Sequence, residues 1–87
     1  MRIMIKDFGN LLISRPAGRE AFLAARAYIF AKDEKEFILD FSDVGALTPS
    51  WADEFIGAIK SEFANAKVIY ENTDNESVSE SLKWVGK

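Results

Sequence analysis

Hydroxyl and acidic side chains gather around one helix start near the middle of the chain, at Thr48, Ser50, Asp53 and Glu54. Ser50 has two interpretations. It either serves as a helix cap or first-turn hydroxyl, with Asp53 as its capping-box partner, or accepts a phosphoryl group at the positive end of the helix. Thr48 competes for the capping position, because Pro49 suits the position directly after a cap.

The same acids are a poor general acid and base pair. Asp53 and Glu54 are adjacent, so their side chains point about 100° apart on a helix. The chain has neither His nor Cys, which excludes imidazole bases, Cys nucleophiles, disulfides and Cys-based zinc sites. We therefore expect no enzymatic activity, no metal and no cofactor.

Trp51 lies beside Ser50 in the first turn of the predicted helix. A large aromatic residue there either closes the core or anchors an interface. The sequence leaves both interpretations open.

An earlier helix is predicted to start at Ser14, whose hydroxyl can cap it. Arg15 and Arg19 flank this start, where cations oppose the helix dipole. Their charges therefore need partners. Either they pair within the chain, with Asp40, Asp53 or Glu54, or they contact an anion or an acidic partner.

The elements that must position these residues follow the order β-β-α-β-α-β-α. Their predicted positions are a hairpin over 2–14, a helix over 17–32, a strand over 36–41, a helix from 48–50, a strand over 66–71 and a short last helix. The third strand is almost continuously apolar, which is typical of a strand covered on both faces. We expect one α/β domain over residues 1–87, with a mostly parallel four-stranded sheet and an antiparallel edge hairpin.

Composition narrows the class of partner. Eleven Lys and Arg against fourteen Asp and Glu give a net charge of −3, and phosphate contacts to nucleic acids need clustered cations. No apolar run is long enough for a membrane span, and the N-terminus lacks the apolar segment of a signal peptide. We expect a cytoplasmic protein that does not bind nucleic acid and does not span a membrane.

Two motifs carry a family resemblance. The run LDFSDV at 39–44, followed by FIG at 55–57, resembles the strand, loop and helix of STAS domains, which include bacterial anti-sigma-factor antagonists. The runs SRPAGR at 14–19 and SWADEF at 50–55, with DFG at 7–9, are more closely similar to small stand-alone STAS-like proteins.

The resemblance implies a non-enzymatic regulatory domain that docks a protein partner, namely an ATP-binding protein of the histidine-kinase-like fold. Docking would use the loop and N-terminus of the second helix, at Thr48, Ser50, Trp51, Asp53 and Glu54, and a homodimer is a further candidate assembly. In the antagonists a serine of an Asp-Ser-Ser-Gly motif is phosphorylated. Here the run TPSW at 48–51 stands in its place, which leaves Ser50 and Thr48 as candidate phosphoacceptors.

A second hypothesis keeps this fold and gives it a small ligand. An anion, a nucleotide or a lipid headgroup would bind between Arg15, Arg19 and the N-termini of the helices.

Overall fold

Strands and helices alternate along the chain in the computed structural model, which describes residues 1–85. The strands are β1 (Arg2–Met4), β2 (Leu11–Leu12), β3 (Glu36–Asp40), β4 (Ala46–Leu47) and β5 (Lys67–Glu71). The helices are α1 (Arg15–Tyr28), α2 (Pro49–Glu62) and α3 (Glu76–Leu82), and a single 3₁₀ turn covers Ile5–Phe8. The predicted α/β class and its three helices are therefore confirmed, with β4 as an additional strand between β3 and α2.

The central sheet has the strand order β1-β3-β5, and both pairs are parallel. Ile3, Leu39 and Tyr70 stand side by side in its register. Because each crossover between neighbouring strands runs through a helix, and such crossovers are right-handed, α1 and α2 lie on the same face of this sheet.

The sequence prediction of an opening hairpin is wrong, and so is the prediction of a single four-stranded sheet. β1 does not pair with β2, because the 3₁₀ turn between them buries Ile5 and carries the chain away. β2 instead forms a separate two-stranded parallel sheet with β4, in a segment that the sequence predicted to be a loop. All strand pairs in the described part of the chain are thus parallel.

The helix starts follow local side-chain chemistry. The Oγ of Ser14 accepts a hydrogen bond from the amide of Ala17 at 3.2 Å and caps α1, as the sequence predicts. At the other end, α1 stops at Tyr28 rather than continuing to residue 32. Shortly after it the chain places the ring of Phe30 against that of Phe37, with the ring centres 5.0 Å apart.

The core lies between the central sheet and the helices. Its largest fully buried side chains are Trp51, Phe37, Phe41, Phe55, Ile5, Leu12, Leu39, Ile56, Ile59 and Val78. Phe37 and Leu39 face this core from β3, whereas Ile38 between them is only half-buried. Asp40, on the same face as Ile38, is buried, so the face of β3 away from the core is covered only in part.

None of the helices within residues 1–85 has the length and apolar character needed to span a bilayer.

Candidate functional site

The N-termini of α1 and α2 meet at one end of the molecule. Thr48 joins them: its hydroxyl donates to the carbonyl of Ile13 at 2.8 Å, just before α1, and accepts from the amide of Trp51 at 3.4 Å. Thr48 is therefore the N-cap of α2, and Pro49 follows it as the first helical residue. This cap positions both helix starts at the same surface.

The two helices are in close contact at Gly18. An ideal Cβ placed on Gly18 would lie 2.7 Å from the carbonyl oxygen of Trp51 and 3.2 Å from the Cβ of Glu54. Only a residue without a side chain fits at this crossing. Gly18 thus brings the first turn of α1 against the first turn of α2.

Arg15 binds the acids of the second helix. Its Nη1 lies 3.0 Å from Oδ2 of Asp53 and 3.4 Å from Oε2 of Glu54. The hydrogen bond to Asp53 raises the pKa of Arg15 above its usual value. Of the alternatives left open by the sequence, internal pairing is the one that the structure shows for Arg15. An anion at this position would compete with two carboxylates.

Arg19 is exposed one helical turn further along α1, and no ion pair of Arg19 is seen among residues 1–85. The structure therefore shows internal pairing for Arg15 and not for Arg19.

Trp51 lies in the core, so the expectation of an exposed binding side chain at this position is wrong. It is 1% exposed. Its ring stacks on that of Phe55 with the centres 4.9 Å apart, and the ring of Phe8 is 6.2 Å away. Trp51 closes the core beneath the helix start and is not available to a partner.

Ser50 is a first-turn residue of α2 rather than its cap. It is half-buried, and its hydroxyl makes no hydrogen bond within the part of the chain that the structure describes. Asp53 is engaged by Arg15 and does not act as a capping-box partner. The hydroxyl of Ser50 and the acids one turn further along the helix thus share one end of α2.

Two exposed apolar residues lie in the segment that leads into α1, and the sequence analysis did not predict their exposure. Leu11 and Ile13 are 66% and 54% exposed, while Leu12 between them is buried. The signal was present in the alternation of the strand, which puts residues 11 and 13 on one face. The sequence did not show that this face is open to solvent.

A second polar cluster lies at the carboxyl end of β3. The carboxylate of Asp40 accepts hydrogen bonds from the amide and hydroxyl of Ser42, from Nδ2 of Asn72 at 2.9 Å and from Nη1 of Arg2 at 2.7 Å. Arg2 also donates to Oε1 of Glu71 at 2.6 Å.

This cluster holds a carboxylate in its charged form. The hydrogen bonds from Ser42, followed by that from Asn72, keep the pKa of Asp40 well below its usual range. The side chain of Asp40 is 8% exposed and surrounded by donors. Such an acid ties the strand ends together and is poorly suited to proton transfer. Within residues 1–85, no group of three or more acids is placed to hold a metal ion.

Comparison with known proteins adds one match. The family model for the STAS-like domain of unknown function (DUF4325) matches residues 22–78, which include the LDFSDV and SWADEF motifs. The SRPAGR motif precedes the matched segment. Neither the curated proteins nor the solved structures yield a match. Because the family model covers more than half of the chain, this protein belongs to that family of STAS-like domains.

Proposed function

We propose that this STAS-like domain is a non-enzymatic regulatory module that docks a protein partner through the surface where α1 and α2 begin. This docking surface consists of Leu11, Ile13, Arg15, Ser50, Asp53 and Glu54. The observation that carries the proposal is the exposure of Leu11 and Ile13 in the segment that leads into α1, where Thr48 ties Ile13 to the charged start of α2. Apolar side chains rimmed by charges are typical of protein interfaces.

The surface is also preorganised. Thr48 ties the chain at Ile13 to the cap of α2, and Gly18 lets the helices touch. Binding of a partner would therefore lose little conformational entropy at this surface, which favours affinity.

The proposed partner is an ATP-binding protein of the histidine-kinase-like fold, as in the anti-sigma-factor antagonists that the chain resembles. Ser50 is the proposed phosphoacceptor. A phosphate on Ser50 would add about −1.5 to −2 charges close to Asp53 and Glu54. Repulsion between the phosphate and these acids, together with the cost of desolvating the phosphate in an interface, would then weaken docking.

Calorimetric titration against purified histidine-kinase-like ATPases of the source organism tests the docking surface. The double variant Leu11→Ser with Ile13→Ser should bind at least tenfold more weakly than the wild type. Tyr28→Ser is the matched control, because Tyr28 is 88% exposed at the far end of α1. Wild-type affinity of the double variant would show that the surface is assigned wrongly.

The proposed control of docking by phosphorylation of Ser50, a phosphorylation switch, needs a separate experiment. Ser50→Asp should weaken binding, whereas Ser61→Asp, an exposed position near the other end of α2, should not. Incubation with the partner and ATP, followed by tandem mass spectrometry, should place a phosphate on Ser50. Equal binding by Ser50→Asp and the wild type would exclude the switch while leaving the docking surface intact.

A further inference from the structure

A cavity of about 400 Å³ opens at the opposite end of the helices from the docking surface. It lies where α1 and α2 end, and its lining consists of Arg26, Phe30, Ala31, Lys32, Glu62 and Phe63. Pockets that hold small ligands are of about 300–1,000 Å³ and combine apolar walls with a few polar groups. The size and lining of this cavity fit that description.

The wall of the cavity is aromatic. The ring of Phe30 lies 5.8 Å from that of Phe63, and both lie 5.0 Å from the ring of Phe37, all in edge-to-face arrangements. Phe37 is fully buried, whereas Phe30 and Phe63 are half-buried and line the cavity. A further ring bound here would extend an existing aromatic cluster with the geometry that aromatic pairs prefer.

The charges of the lining favour an anion. Arg26 and Glu62 neutralise each other through an ion pair of 2.9 Å that spans the two helices. Lys32 is the remaining charge, and within residues 1–85 it has no ion pair. The cavity therefore combines an apolar wall with one ammonium group that is open to a ligand.

An adjoining recess shares Lys32, Glu62 and Phe63 with the cavity and is predominantly polar. Its charged lining also includes Asp33, Glu34 and Lys35, and Glu34 lies 3.7 Å from the amino group of Met1. A carboxylate held by Lys32 would thus face solvent and polar groups, while its apolar body faces the rings.

We propose that this cavity binds a small aromatic carboxylate. The ring of the ligand packs against Phe30 and Phe63, and its carboxylate accepts a hydrogen bond from the ammonium of Lys32. This site is independent of the docking surface and lies at the other end of both helices.

Naphthoate is a suitable test ligand, with naphthylmethanol and naphthylmethylamine as its neutral and cationic counterparts. Titration into isotope-labelled protein should shift amide resonances at the ends of α1 and α2, and not those of residues 11–15. Naphthoate should bind at least tenfold more tightly than either counterpart. Equal or tighter binding of the amine would overturn the proposal, as would the absence of shifts at millimolar naphthoate.

Two variants test the assigned groups. Lys32→Ala should weaken naphthoate binding at least tenfold, whereas Lys6→Ala should not change it, because Lys6 lies near Asp43 at the other end of the sheet. Phe30→Leu keeps the wall apolar but removes a ring, and should also weaken binding. Urea denaturation verifies that each variant is folded. Unchanged affinity in folded Lys32→Ala would contradict the assignment.

Discussion

Gly18 in α1 contacts the backbone of Trp51 in α2 so closely that a Cβ on Gly18 would lie 2.7 Å from the Trp51 carbonyl oxygen. Gly18→Ala should therefore push the helices apart and lower the free energy of unfolding by about 1–3 kcal/mol. This loss should outweigh the higher helix propensity of alanine, and urea denaturation measures it.

Gly57→Ala is the matched control for that substitution. Gly57 also lies within a helix, but a Cβ there would meet only Oδ1 of Asp53, at 3.8 Å. The change should raise the free energy of unfolding by about 0.5–1 kcal/mol. Equal changes in the free energy of unfolding for the two substitutions would show that α1 and α2 can accommodate a Cβ at Gly18.

Thr48, and not Ser50, should carry the capping energy of α2. Thr48→Ala removes both the cap and the hydrogen bond to Ile13, and should lower the free energy of unfolding by about 1 kcal/mol. Ser50→Ala should change it by less than about 0.5 kcal/mol. Thermal and urea unfolding of the two variants measure this difference, and a larger loss at Ser50 would reverse the assignment.

The two tryptophans should differ sharply in their contribution to stability. Trp51 is buried against Phe55, whereas Trp84 is 61% exposed. Trp51→Ala should cost about 3–5 kcal/mol, and Trp84→Ala less than about 0.5 kcal/mol. If Trp51→Ala does not fold, the milder Trp51→Phe should still be less stable than Trp84→Ala, as followed by circular dichroism in urea. Equal stability would place Trp51 outside the core.

Asp40 should make stability depend on pH. Its pKa lies well below its usual value in the folded protein, so protons bind more readily to the unfolded chain. The stability from the charged Asp40 is therefore complete above about pH 5 and is lost as the pH falls further.

Asp40→Asn tests this dependence. The wild type should be more stable than the variant at neutral pH, and the difference should narrow as the pH falls from about 5 to 3. Asp74→Asn, at an exposed position, controls for the loss of one acid. A difference between wild type and Asp40→Asn that is constant with pH would contradict the assigned network.

Much of the candidate site was predictable because its signals are local. Ser14 was expected to cap α1, and the TPS run at 48–50 was expected to open α2; both expectations are confirmed. The pairing of Arg15 with Asp53 was one of two open alternatives. Exposure of Leu11 and Ile13 could not be predicted, since it depends on what the rest of the chain leaves uncovered.

The amino-acid sequence by itself determined the α/β order of elements, because turn chemistry, helix caps and apolar periodicity act over a few neighbouring residues. Through its motifs and its match to the family model, the sequence also determined the membership of the STAS-like family. Only the tertiary structure decided which strands pair. β1 joins β3 across the length of α1 instead of its neighbour β2, since the buried side chain of Ile5 turns the chain away. The tertiary structure also decided that Trp51 belongs to the core. Its burial requires Phe8 and Phe55 to meet it from distant and neighbouring parts of the chain, and Gly18 to let α1 come close.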